Sequence, residues 1–147
     1  MSKPRYNWWA FALAIIRDYP ARAAALKELR EQKLTADLSG MPRAGSAGRT
    51  TENFALCQLP PQEQREYDAV DIAMKRTRSM PEAKLRLNTV RLSILRGYSL
   101  PSVAVTLHIA ERTARRYRWQ FILLVGHTYG FLDEEEYCAA IKKDMPR

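Results

Sequence analysis

The chain has 147 residues, 46% of them apolar and 27% charged, with 24 Lys and Arg against 16 Asp and Glu. That length and balance describe a globular protein with one core and room for a small satellite, and exclude a polar disordered chain. The formal net charge of +8 is unevenly placed. From Lys84 to Arg118 there are eight basic residues (Lys84, Arg86, Arg91, Arg96, Arg112, Arg115, Arg116 and Arg118) against one acid, Glu111, a net +7. Cys57 and Cys138 are too few for a disulfide scaffold and lack zinc-ligand spacing, which fits a reducing cytoplasm and leaves both as small buried hydrophobes.

In chain order, Lys3 and Arg5 precede the apolar run Trp8 to Ile16, a pattern superficially like a signal peptide. The run opens on two tryptophans and leads into Arg17 and Asp18, so a packed helix is the expectation, capped by Asn7 and ending near Asp18. Pro20 is expected to stop that helix or start the next, and Pro20 to Leu34 is rich in strong helix formers. The tryptophan pair suits a core, or a patch that docks a partner. Residues 1–38 thus form an aromatic-rich helical segment.

Residues 39–59 read as a flexible linker, because Ser39 to Arg49 holds three glycines and a proline. Arg43 and Arg49 within it can touch phosphate. The remainder, 60–147, reads as a helical DNA-binding domain. Pro60 and Pro61 open a helix to about Arg78, with Glu63 in its first turn and Tyr67, Val70 and Met74 inward. Ser79 and Glu82 are spaced as a capping box for a helix through Arg96, which Gly97 ends. Asp133 and Glu136 repeat the capping-box spacing ahead of a short terminal helix. Every apolar pattern has helical period, so an all-α protein of about six helices is predicted. No stretch is long enough to cross a membrane.

The informative stretch is 99–124. Val103, Ala104 and Leu107 give a short helix an apolar face, Ile109 fills a turn, and Ala114, Tyr117 and Phe121 recur on a second helix. Ala104 is the small residue where two helices cross, as in a helix-turn-helix whose second helix enters the major groove. His108 stands where glycine is commoner in the turn, and Ala110 stands at the usual Ser or Asn cap. The second helix is expected to present Glu111, Arg112, Arg115, Arg116 and Trp119 outward, and guanidinium forks onto phosphate or a guanine edge. Thr113, near the helix start, suits a phosphate or thymine methyl, or packing at the turn. Ser102, on the first helix, completes the candidate DNA contacts. The bland alternative is a helical hairpin with a solvated basic face.

No enzymatic constellation is legible. His108 and His127 lack metal-spaced carboxylates, and there is no phosphate-binding glycine loop or nucleophile elbow. No catalytic residue, metal ligand or cofactor is expected, and Asp133 to Glu136 is read as a helix start.

Tyr6-Asn7-Trp8-Trp9, Ile16-Arg17-Asp18-Tyr19-Pro20-Ala21-Arg22, the Gly/Arg loop leading to Thr51-Glu52, Arg65-Glu66-Tyr67-Asp68-Ala69-Val70 and Arg112-Thr113-Ala114-Arg115-Arg116-Tyr117 together resemble phage regulators of the RinA/ArpU type. The second half also resembles the fourth region of bacterial sigma factors, with Ala104, Leu107, Ile109, Thr113 and Arg116 in the same order. The resemblance implies a cytoplasmic phage or prophage activator of late or packaging genes, binding double-stranded promoter DNA and contacting RNA polymerase. A homodimer is compatible with it. Two alternatives remain: a sigma-like, polymerase-binding antiterminator, or the DNA-binding subunit of a small terminase. The late position of the helix-turn-helix argues against the terminase.

Overall fold

The structure is a computed structural model that describes residues 6–38 and 58–144. Among them are six α-helices and no strand, in agreement with the all-α expectation: α1 (Trp9–Leu38), α2 (Pro61–Arg78), α3 (Ala83–Val90), α4 (Leu100–Leu107), α5 (Glu111–Tyr129) and α6 (Glu134–Asp144). A π-helical turn, Arg91–Leu95, extends α3. None of the described helices is long and apolar enough to cross a membrane.

The second half of α5 is the axis of the fold. Phe121, Ile122, Leu123, Leu124, Val125 and Gly126 are all buried, and a helix buried on every side must be surrounded by others. Each of the other five helices packs against α5 somewhere along its length. On it converge Ala12, Ile15 and Ile16 of α1, Val70 and Ala73 of α2, Val90 of α3 and Ile94 of the π-helical turn. The N-terminal helix therefore shares one core with α2, α3 and α5 instead of forming a separate piece. Of the expected linker, residues 39–57 lie outside the described residues, and with them Arg43, Arg49 and Cys57.

Pro20 does not end α1, contrary to expectation. Proline removes one backbone hydrogen bond and crowds the preceding turn, but tertiary anchors hold both sides in line. Tyr19 donates its hydroxyl to Asp71 Oδ1 at 3.1 Å and stacks on Tyr67, ring centroids 5.2 Å apart. Arg22 pairs with buried Glu66 of α2 and with Asp18 at 3.6 Å. Beyond it Leu26 is buried.

The capping expectations divide. Asp133 and Glu136 form a true box: the Glu136 N–H donates to Asp133 Oδ1 at 2.7 Å and the Asp133 N–H to Glu136 Oε2 at 3.1 Å. Ser79 and Glu82 do not. Ser79 Oγ turns back to the Arg76 carbonyl, and Glu82 sits left-handed at φ 57°, its carboxylate accepting from the Tyr117 hydroxyl. The partner on α5 has taken the carboxylate that the box required. Gly97, at φ 72°, ends the π-helical turn as expected, with the Tyr98 N–H donating to the Leu92 carbonyl at 3.0 Å. Cys138 is exposed, not buried, because it falls on the outer side of α6 while Ala140 falls inward.

A Cβ placed on Gly126 meets the Trp8 ring at 2.5 Å, so Gly126→Ala should destabilise the fold by about 1–3 kcal/mol, measured by urea unfolding. Burial, reinforced by Asp71 and Tyr67, pushes the Tyr19 phenol well above the ordinary tyrosine value. The unfolded chain then releases that proton first, so stability should decline once pH rises above about 10. Tyr19→Phe should flatten the decline in urea midpoints between neutral and alkaline pH.

Candidate nucleic-acid interface

The pair α4–α5 is built from a short turn and one small contact. The His108 N–H donates to the Val105 carbonyl at 3.3 Å and the Ile109 N–H to the Ala104 carbonyl at 3.0 Å, closing α4. That closure needs a left-handed residue, and His108 supplies it at φ 55°, ψ 43°. Ala110 is extended and gives no side-chain cap, so the first amides of α5 have no side-chain acceptor from the cap position. Val103, Ala104, Ala114 and Tyr117 are buried, with Leu107 and Ile109 half-buried beside them. Two helices joined by a short turn therefore stand where the sequence placed them, with His108 in the turn and Ala110 ahead of α5.

On the outer face of α5, Glu111, Arg112 and Arg115 are exposed. Arg115 Nη2 donates to Glu111 Oε1 at 3.0 Å, one turn back along the helix. This pairing orients the guanidinium along the helix, and at an exposed site is worth little, so a phosphate can displace it. Arg112 has no partner among the described residues. Thr113 is half-buried toward the turn, and Ser102 is exposed on α4, its carbonyl accepting from Thr106 Oγ1 at 2.9 Å.

Two of the expected contacts lie elsewhere. Trp119 continues the stripe of Arg112 and Arg115, but the N-terminal residues cover that stripe before it. Its ring packs on Trp9 at 4.7 Å and near Tyr6 at 6.3 Å, and Nε1 is buried without a hydrogen-bond partner. It belongs to the second apolar cluster, with Leu123 and Leu132. Arg116 is half-buried: its Nε is inaccessible and unpartnered, and its guanidinium lies 5.6 Å from the Tyr117 ring centre. Arg118 is also half-buried, and burial, with Arg17 nearby, holds its pKa below the usual arginine value. The outward face is thus the first turn of α5, not its first two and a half.

Sequence reasoning missed Arg86. Its Nη1 donates to Gln120 Oε1 at 2.5 Å, its Nε to the Pro81 carbonyl at 3.0 Å, and the guanidinium lies 4.5 Å over the Tyr117 ring. No local spacing joins residues 86, 117 and 120, so no sequence signal marks this bridge between α3 and α5. Of the eight cations between Lys84 and Arg118, it leaves Lys84, Arg91, Arg96, Arg112 and Arg115 exposed.

A left-handed residue other than glycine costs about 1–2 kcal/mol. His108→Gly should therefore raise stability, by about 1 kcal/mol after the extra backbone entropy of glycine is offset, read from thermal or urea unfolding. No change or a loss would mean that the imidazole makes a compensating contact.

No protein-family model, no curated protein and no solved structure matches this chain.

Proposed function

We propose that this protein is a transcription regulator that binds double-stranded DNA through α4 and α5 and contacts RNA polymerase through another surface. The observation that carries the DNA part is the first turn of α5: a helix anchored by six consecutive buried residues whose uncapped start presents Arg112 and Arg115 outward. A helix N-terminus favours anions through its free amides and dipole, and a rigid anchor lets that end enter a groove without loss of register. Phage or prophage origin and action on late or packaging genes rest on the resemblance in Tyr6–Trp9, Ile16–Arg22 and Arg112–Tyr117, and the sigma-like character rests on Ala104, Leu107, Ile109, Thr113 and Arg116. Glu111 and Thr113 flank the groove-facing turn, and Ser102 lies on the helix before it.

The test is duplex binding followed by fluorescence anisotropy, on fragments selected from phage and host DNA. If all five exposed cations meet phosphate, the slope of log affinity against log salt should be about −4 to −5; Arg112 and Arg115 alone should give about −2. Arg112→Ala should cost about 1–3 kcal/mol and relax preference at one base pair if it forks onto guanine. If it meets only phosphate, all sequences should weaken together and the slope should fall by about one. Wild-type affinity and preference in folded Arg112→Ala and Arg115→Ala proteins would remove α5 from the interface. Binding seen only with polymerase present would move the reading to an antiterminator.

A further inference from the structure

A pocket of about 300 Å3 lies between α2, the start of α3, α5 and α6, at the lower end of the size range of small-molecule sites, about 300–1,000 Å3. Its walls are mainly apolar, with Met80, Phe121, Leu124 and Ile141 contributed from three parts of the chain. Arg86 is the charged group in the lining. The rest of its polar wall is neutral: Thr77, Tyr117, Gln120 and Tyr137, whose phenol burial pushes further above the ordinary tyrosine value.

Arg86 has an unusual set of partners for a half-buried guanidinium. Both of its hydrogen bonds go to neutral oxygens, of Pro81 and Gln120. The nearby carboxylate, Glu82, accepts from Tyr117 instead, and none of the ion pairs among the described residues includes Arg86. The second guanidinium at the same ring, Arg116, adds repulsion. Burial first, and Arg116 second, depress the Arg86 pKa, with Glu82 opposing. A half-buried cation whose hydrogen bonds go only to neutral oxygens keeps part of its desolvation cost, and the pocket beside it accepts an apolar body. A hydrophilic anion would satisfy the charge but leave the apolar walls in water. A neutral hydrocarbon would leave the charge unmatched.

We propose that this pocket binds a small organic monocarboxylate with an aromatic or branched apolar body, its carboxylate on Arg86 and its body against Phe121, Leu124 and Ile141. A carboxylate accepts charge-assisted bonds from guanidinium, which are roughly twice as strong as neutral ones. Four lining residues, Tyr117, Gln120, Phe121 and Leu124, belong to α5, so an occupant would bear directly on the helix that also carries Arg112 and Arg115.

The experiment uses the full chain and phenylacetate as probe, with phenylacetamide and inorganic phosphate as controls, in calorimetry and in proton–nitrogen correlation spectra. The expected result is saturable 1:1 binding of phenylacetate with a dissociation constant on the order of 1 mM or tighter. Phenylacetamide should bind about tenfold more weakly or less, and phosphate should not compete. Ile141→Trp, which fills the pocket from its half-buried rim, should abolish binding with the circular dichroism spectrum unchanged. Arg86→Gln should weaken phenylacetate about tenfold and leave phenylacetamide unaffected. Absence of saturation, equal binding of acid and amide, effective competition by phosphate, or full binding by Ile141→Trp would each overturn the proposal. No DNA enters these measurements, so their failure is separate from failure of the DNA reading.

Discussion

The structure depends on one constraint: Phe121 to Gly126 in the second half of α5 are all buried, so neighbouring helices must assemble around them. Burial of each such side chain is worth about 1.5–3 kcal/mol, and Phe121 through Val125 supply five in succession. A helix held this firmly cannot bend or rotate independently at its other end. The exposed first turn, with Glu111, Arg112 and Arg115, inherits its position from residues more than a turn away. Core and candidate interface are two ends of one rigid element, and the chemistry of the surface end rests on packing at the buried end.

Tyr117 marks the transition between these ends. Its ring is buried between Arg86 and Arg116, and its hydroxyl holds Glu82. This explains why α3 starts without the capping box and with a left-handed residue. The helix loses about 1 kcal/mol of capping, and the carboxylate is used across the fold instead. The same grouping makes the pocket: Arg86 is drawn over the ring toward α5, and the cleft left between Met80 and Ile141 is lined by what remains.

The N-terminal residues play a structural part that alters the outer face. Tyr6, Trp8 and Trp9 form an aromatic group over α5: Tyr6 stacks on Trp8 with centroids 5.1 Å apart, and Trp9 lies tilted against Trp119 at 4.7 Å. Trp8 approaches the helix closely only because residue 126 is glycine. The group packs on Trp119, whose Nε1 is inaccessible, and links the aromatic start of the chain to α5 in one body. Phe131 stacks on Trp8 from the other side at 5.6 Å, tying the turn before α6 into the same group.

What the sequence determined by itself is local. Helical period, Pro61 at a helix start, Gly97 at a helix end, the Asp133–Glu136 box and the α4–α5 turn around Ala104 and His108 all express interactions between residues a few positions apart, and all are present. The tertiary structure decided everything that needed distant residues to meet. It carried α1 through Pro20 by anchoring Tyr19 and Arg22 on α2. It spent Glu82 on Tyr117 instead of on a cap, and covered Trp119 with Trp9. It also withdrew Arg86 and, in part, Arg116 from a basic face that spacing alone would have left open. The physical reason is that the contacts of Tyr19, Arg22, Glu82, Arg86 and Trp119 each span dozens of residues, so periodicity carries no trace of any such contact. Its energy, from aromatic packing and part-buried charge, is larger than the local preference it overrides.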